Sequence, residues 1–250
     1  MPDPRWRQIA EDLRAKIESG ELGRDGKPLP SELELRDQYE ASRNTVRDAV
    51  KWLAMRSLVS TRPGQGTFVV KRMDPFRTSL SDPEDDATKT YVSEVEAARR
   101  TATVGPPVVQ IRRAADTQID ELGLEPDSLA VSRHQRRFID DTPWSLQTTF
   151  YPMEFVTRGA SNLLAAEDMP SGAVKYLIET LSIRPAGWND LVKVRPPDAS
   201  EANFFQLPDD GRVAVLEHRR TAFDTEGTPF RLTITTYPAD RNEITFTVHY

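Results

Sequence analysis

Arg43, Asn44, Thr45 and Arg47 fall within five consecutive positions and carry the side chains that read nucleic acid. An arginine fork meets a guanine edge or a phosphate with parallel N–H donors, an amide meets adenine, and a hydroxyl serves either role. They follow Ser42, a residue suited to capping a helix N-terminus. That helix end carries partial positive charge, which favours phosphate. Further along, Arg62, Gln65, Gly66 and Thr67 combine a basic root with a Gly-rich turn that lets the backbone approach a groove closely.

These residues need elements to hold them, and the flanking sequence predicts them. Ser31 followed three positions later by Glu34 is a capping box, so a short helix is expected from Ser31 to about Tyr39. After a break at Glu40-Ala41, Val46, Ala49, Val50 and Leu53 repeat as the apolar face of a second, longer helix. Two helices joined so tightly form a helix-turn-helix, and the run Leu58 to Val70 reads as strand, turn and strand, a wing. Ahead of them, Ile9, Leu13 and Ile17 mark a supporting helix over Pro4 to Glu21, with Trp6 in its packing and Gly20 at its stop.

Charge is distributed to match. The chain has 250 residues and a net charge of −6, yet residues 42–72 hold seven basic side chains against the single acid Asp48. A local basic surface is what phosphate neutralisation requires. Residues 1–72 carry +3 and the remainder −9, so only the first part suits a polyanion.

Composition limits the alternatives. There is no Cys and there are three His, His134, His218 and His249, none at ligand spacing from another, so neither a disulfide framework nor a metal site is expected and no cofactor is implied. No Ser/His/Asp or Cys/His set and no phosphate-binding loop is present, which argues against an enzyme. No apolar run is long enough to cross a membrane and the N-terminus is not signal-like, so a cytoplasmic location is expected.

Beyond residue 72 the composition turns to Asp, Pro, Ser and Thr, and residues 73–90 read as an acidic, flexible linker. Strands and short helices then alternate. Val108 to Ala114 is an expected strand, Asp116 to Leu122 a helix closed by Gly123, and Ser128 to Ile139 with Trp144 to Tyr151 a strand pair about Asp140-Asp141. Ala173 to Leu181 and Ser200 to Leu207 are expected helices, and Leu191 to Arg195 is extended. Val213 to Phe223, Phe230 to Tyr237 and Ile244 to Val248 read as a closing meander. The expected class is α+β, with an antiparallel sheet after the winged helix.

Residues 4–70 resemble the DNA-binding domain of the GntR family of bacterial transcription regulators. The resemblance rests on Leu29-Pro30-Ser31-Glu32, on Ser42-Arg43-Asn44-Thr45-Val46, and on Arg62-Pro63-Gly64-Gln65-Gly66-Thr67-Phe68-Val69. It implies that Ser31, Ser42, Arg43, Asn44, Thr45, Arg47, Arg62, Gln65, Gly66 and Thr67 form the DNA-contacting set. The recognition helix would lie in the major groove and Gln65-Gly66 in the minor groove. Leu33 departs from the pattern, standing where the family often has an arginine that contacts DNA.

The second half resembles the UTRA effector-binding domain of the HutC branch, similar in fold to chorismate lyase. The matching landmarks are Leu122-Gly123-Leu124, Thr142-Pro143, Phe150-Tyr151-Pro152, and Tyr237 with Asp240-Arg241 and Phe246. The resemblance implies a pocket for a small polar effector at Gln135, Arg137, Gln147, Arg231 and Tyr237. Arg137 keeps an anion-binding fork where Gln135 does not, and Gln147 and Arg231 stand where carboxylates are usual, so a different and anionic ligand is expected.

The expected organisation is a winged helix-turn-helix at 1–72, the linker at 73–90, and an effector-binding and dimerisation domain at 91–250. The expected function is a repressor that binds a pseudo-palindromic double-stranded operator as a homodimer and answers to a small molecule. A ligand-independent repressor, as of a mobile element, whose second domain only dimerises, stands as the alternative.

Overall fold

The computed structural model describes residues 3–23, 27–56, 58–62, 64–70, 75–80, 87–169, 171–207, 211 and 213–246. The chain divides into two compact units, Met1–Met73 and Asp74–Tyr250.

In the first unit, α1 (Arg5–Glu18), α2 (Glu32–Gln38) and α3 (Arg43–Met55) precede the hairpin of β1 (Val59–Arg62) and β2 (Gly66–Val69). The expected capping box forms: the Glu34 N–H donates to Ser31 Oγ at 3.3 Å, and the Ser31 N–H donates to Glu34 Oε2 at 2.7 Å. Ser42 caps α3 by accepting from the Thr45 N–H at 3.2 Å. Ile9, Ala10 and Leu13 of α1, Leu35 of α2 and Val46, Ala49, Trp52 and Leu53 of α3 meet Leu29, Leu58 and Val59 in one buried core, with Trp6 packed at its margin. Truncating a buried Leu such as Leu53 to Ala in a core this small would cost about 2–5 kcal/mol.

The second unit is built on a seven-stranded antiparallel sheet. Its strands are β4 (Ala102–Val104), β5 (Val108–Arg113), β6 (Leu129–Ile139), β7 (Thr142–Pro152), β8 (Pro185–Arg195), β9 (Val215–Asp224) and β10 (Pro229–Pro238). The order is β4-β6-β7-β10-β9-β8, with β5 also paired to β6. On one face, α5 (Asp116–Leu122) brings Leu122 onto Phe150 and Leu232, and α8 (Ala199–Phe205) brings Phe205 onto Val215. Arg195 fastens α8, with a fork to Glu201 at 2.6 and 2.7 Å and a bond to Glu217 at 2.6 Å. The opposite face is covered at one end by α6 (Glu154–Thr157), a 3-10 turn (Ser161–Leu164) and α7 (Ala173–Leu181), which pack on Val131, Tyr151 and Ala222.

Three expectations need correction. Residues within the expected linker form β3 (Phe76–Ser79), and α4 (Ala87–Ala97) begins before position 91. Phe76 is buried edge-on against Trp144 at 6.5 Å, so hydrophobic burial orders a stretch whose composition reads as flexible. The last strand, β11 (Asn242–Thr245), does not continue the meander but runs parallel to β3, pairing Asn242 with Phe76 and Thr245 with Ser79. β8 starts six residues earlier than expected because its edge position tolerates Pro185, Gly187 and polar residues that obscure the alternation. The remaining linker positions 73, 74 and 81–86, and residues 247 and 248 of the expected last strand, lie outside the described residues.

Candidate DNA-contacting surface and effector face

In the first unit α3 presents Arg43, Asn44 and Arg47 to solvent, Arg43 and Arg47 one turn apart on the same face. Thr45 is half-buried and its hydroxyl lies 2.8 Å from Ser42 Oγ, so it belongs as much to the cap as to the exposed face. Ser31, equally, works as the α2 cap. Asn44 and Arg47 join Glu32, Asp48, Lys51 and Thr61 along a groove of about 560 Å³ running from the helices to the wing. Lys51, one turn beyond Arg47, is one of the seven basic residues of 42–72, whereas no signal in the sequence marks Thr61.

The wing takes its form from three contacts. The Gln65 N–H donates to the Arg62 carbonyl at 3.0 Å around Gly64, whose φ of +72° suits glycine. Thr61 and Thr67 hydroxyls meet across the hairpin at 3.1 Å, and Arg62 stacks over Phe68 with its guanidinium 4.6 Å from the ring centroid. Gly66 has φ +114°, and a Cβ there would stand 3.3 Å from Pro28 Cβ. A side chain would therefore strain the turn and push the wing off the Pro28-Leu29 segment that braces it.

Glu32 is the contact that sequence reading missed. Its carboxylate lies 3.3 Å from Arg43 Nε and 3.7 Å from Arg47 Nε. It belongs to the Leu29-Pro30-Ser31-Glu32 run, where the capping residues draw the attention.

In the second unit the register assembles a polar strip on the face under α4 and α6. Gln135 pairs with Gln147, Gln147 with Thr235 and Thr235 with His218, so these side chains cross four strands in one row. The row below is Arg133, Thr149, Thr233, Arg220 and Asp190. The row above holds Arg137 opposite Ser145, with Tyr237 at the same level. All five sequence-predicted effector residues are buried on this face, and four of them, Gln135, Arg137, Gln147 and Tyr237, cluster at one end. Arg231 is set apart: six residues from Tyr237 along β10 amounts to about 20 Å of strand.

The strip is closed from above. Arg133 donates to the carbonyls of Leu163, Ala165 and Glu167 at 2.8, 2.6 and 2.6 Å, and Gln135 Nε2 donates to Asp168 Oδ1 at 2.8 Å. The segment from Leu163 to Asp168 is thus strapped across the strip between Arg137 and Arg231. At the Arg137 end, the guanidinium lies over the Tyr91 ring of α4 at 5.0 Å. Burial pushes the Tyr91 hydroxyl well above its ordinary range, against the pull of Arg137, and burial likewise raises Tyr237. Both phenols therefore stay protonated donors at neutral pH. Ser145 Oγ, fully buried beside Arg137, has no hydrogen-bond partner among the described residues.

At the other margin His218 Nε2 lies 2.7 Å from Asp190 Oδ1, and Arg220 grips the same carboxylate through two bonds of 2.8 Å. Burial pushes the Asp190 carboxyl up, but the hydrogen bonds from Arg220 and His218 outweigh it and hold the group below the ordinary carboxylate range. Arg133, Ser145, His218, Arg220 and Asp190 extend the predicted set. Period-two counting from Gln135 and Gln147 finds the first two, whereas the last three need the strand order. His134 points to the opposite face, where it meets the Thr148 hydroxyl at 2.9 Å. Among the described residues, no group of three or more His, Asp or Glu is placed to hold a metal, and no helix is long and apolar enough to cross a membrane.

Comparison with known proteins agrees with both halves. Residues 6–69 match the profile of the bacterial regulatory proteins of the gntR family, and residues 99–243, more than half of the chain, match the UTRA domain. The HTH-type transcriptional repressor NagR of Bacillus subtilis is 27% identical over 252 residues, covering 100% of this chain and 95% of NagR. The HTH-type transcriptional regulator TreR of the same organism is 30% identical over 138 residues, 55% of this chain and 50% of TreR. Among solved structures, a GntR-family transcriptional regulator superposes with a TM-score of 0.70 at 22% identity, covering 99% of this chain and 98% of its own. PhnF from Mycobacterium smegmatis gives 0.56 at 22% identity, covering 96% and 99%. The chain belongs to the GntR family of bacterial transcription regulators, in the HutC arrangement of a winged helix-turn-helix followed by a UTRA domain.

Proposed function

We propose that this chain is a homodimeric repressor that binds a pseudo-palindromic operator through α3 and the wing, and leaves it when an elongated anionic metabolite occupies the polar strip. Arg43, Asn44 and Arg47 read the major groove and its phosphates, with Ser31, Ser42 and Thr45 fixing the helix ends. Arg62, Gln65, Gly66 and Thr67 place the wing in the minor groove. One recognition helix covers too few base pairs to specify a genomic address, which calls for two copies and two half-sites.

The observation that carries the sensor reading is the burial of Gln135, Arg137, Ser145, Gln147 and Tyr237 on one face in register. Burying so many polar groups on one face is costly unless they are partnered, and the Ser145 hydroxyl among them has no hydrogen-bond partner among the described residues. The ligand has its anion at Arg137 and, to reach Arg231, must extend beneath the strap. We read no catalytic role in the strip. Ser145 and His218 stand two strands apart, about 10 Å, which is too far for a nucleophile and its base.

One observation favours the ligand-independent alternative: Asp168 already occupies Gln135, and strap carbonyls occupy Arg133. A thermal-shift screen against cellular acids and phosphorylated metabolites, with hits tested for release of operator DNA, decides between the two. A ligand at 100 times its Kd adds about 2.7 kcal/mol. A hit that releases DNA, and fails with Arg137→Ala, supports the sensor. Operator binding insensitive to every compound sinks it and leaves a constitutive repressor.

A further inference from the structure

Asp48 is the single acid of residues 42–72, and it lies on the side of α3 that would face a polyanion. It follows Asn44 by one turn, while the buried residues of the helix, Val46, Ala49, Trp52 and Leu53, point the other way. Asn44, Arg47, Asp48 and Lys51 all line the groove that reaches Thr61 of the wing. The other acid of that groove, Glu32, is offset within the protein, since its carboxylate lies 3.3 Å from Arg43 Nε and 3.7 Å from Arg47 Nε. Asp48 is exposed, and its carboxylate has no hydrogen bond or ion pair among the described residues.

A carboxylate in this place repels phosphate, so it weakens binding to every duplex unless a base offers it a donor. A carboxylate only accepts hydrogen bonds, which narrows the choice of base. Guanine presents two acceptors in the major groove, and thymine an acceptor and a methyl group. Adenine has a donor at N6 but sets the N7 acceptor beside it, an arrangement that suits an amide such as Asn44. Cytosine presents the N4 amino group as a donor and is the base that an aspartate matches.

We propose that Asp48 is a specificity-determining residue that reads a cytosine in each operator half-site by accepting from its N4 amino group. Four residues advance about 6 Å along α3, against about 3.4 Å for each base step, so this cytosine lies roughly two base pairs from the base that Asn44 meets. The proposal rests on the reading that α3 lies in the major groove. It gives the unpaired acid a use: Asp48 lowers affinity for DNA in general and restores it at one sequence, which widens the gap between operator and random duplex.

The test uses the full chain as wild type, Asp48→Asn and Arg47→Ala. Asparagine keeps the shape of the side chain and removes its charge at an exposed position, so the variant should fold as the wild type does. Wild type and Asp48→Asn each select sites from a random duplex library, and all three proteins are then titrated with the wild-type site and with an unselected duplex. Expected is a cytosine at one position of each wild-type half-site that becomes adenine for Asp48→Asn, whose amide matches N6 and N7. The variant should bind the wild-type site at least about fivefold more weakly, yet bind the unselected duplex as tightly or more tightly, and these opposite signs separate base reading from bulk charge. The same selected site for both proteins, or a variant that binds the wild-type site as well as or better than the wild type, overturns the assignment to Asp48. A wild type that selects no half-site, or a selected site that Arg47→Ala binds as tightly, overturns the placement of α3 in the major groove, and the assignment with it.

Discussion

Glu32 holds Arg43 in place: the carboxylate accepts from Arg43 Nε at 3.3 Å, on the face that would meet the major groove. Its second oxygen reaches toward Arg47 at 3.7 Å. Both arginines are exposed, so each pair contributes about 0.2–1 kcal/mol and yields readily to a better partner. A phosphate or guanine must nonetheless displace a carboxylate that itself repels the backbone. Glu32→Gln is therefore expected to tighten binding to random duplex by about two- to fivefold at low salt, and by less as salt screens the effect. Fluorescence anisotropy at two ionic strengths measures this. Unchanged affinity for random duplex would show that the pairs have no bearing on DNA.

The cap of the recognition helix gives a second prediction. Ser42 Oγ satisfies the Thr45 N–H, one of the donors a helix start leaves without an intrahelical partner. Ser42→Ala is expected to destabilise the first unit by about 1 kcal/mol and Ser42→Asp by little or nothing. Urea denaturation followed by tryptophan fluorescence, to which Trp6 and Trp52 of the first unit contribute, reads both. Equal stability of Ala and Ser at this position would mean that the α3 terminus is set by packing alone.

Elements whose information is local were legible in the sequence, and those that depend on distant pairing were not. The apolar spacing in Ala173–Leu181 is self-sufficient, and the helix forms over those residues. The Ser31 and Ser42 caps, likewise, need only the next three residues. β3 has four residues and one buried side chain, and its pairing partner begins at Asn242, so no window around Phe76 contains the reason it is ordered. The effector strip shows the same division. Gln135, Arg137 and Gln147 follow from alternation about one hairpin, but Asp190 reaches the strip only because β8 ends the strand order beside β9. The strap from Leu163 to Asp168 has no periodicity at all, and only the tertiary fold brings its carbonyls to Arg133.

Arg195 supports a third prediction. It is the shared cation of Glu201 and Glu217, each 7% exposed, and Thr236 adds a hydroxyl to Glu201 at 3.2 Å. Removing the cation leaves two buried carboxylates, with Arg219 alone among the described residues still paired to Glu217. Breaking a buried pair by deleting one partner typically costs about 3–5 kcal/mol. Arg195→Ala is thus expected to lose more stability than Glu201→Gln, which keeps a hydrogen-bonding group and removes the charge. The reverse order in chemical denaturation would show that water, not Arg195, compensates these acids.

The last prediction concerns pH. Asp190 is held below its ordinary carboxyl range in the folded chain, because the Arg220 and His218 hydrogen bonds overcome the opposing effect of burial. An acid with a lowered folded pKa gives stability that is complete above its unfolded value, about 3.9, and is lost as pH falls toward the folded value. Glu201 and Glu217 are also lowered, so the whole second unit weakens in acid and the wild-type curve alone cannot isolate Asp190. The difference between wild type and Asp190→Asn does isolate it. Asparagine has no proton to take up, so the variant should be less stable at pH 7 and the gap should narrow below about pH 4. Thermal midpoints taken from pH 7 to pH 3 give that gap directly. A gap that stays constant across the interval would mean that the Asp190 carboxylate gains nothing from Arg220 and His218 that asparagine cannot supply.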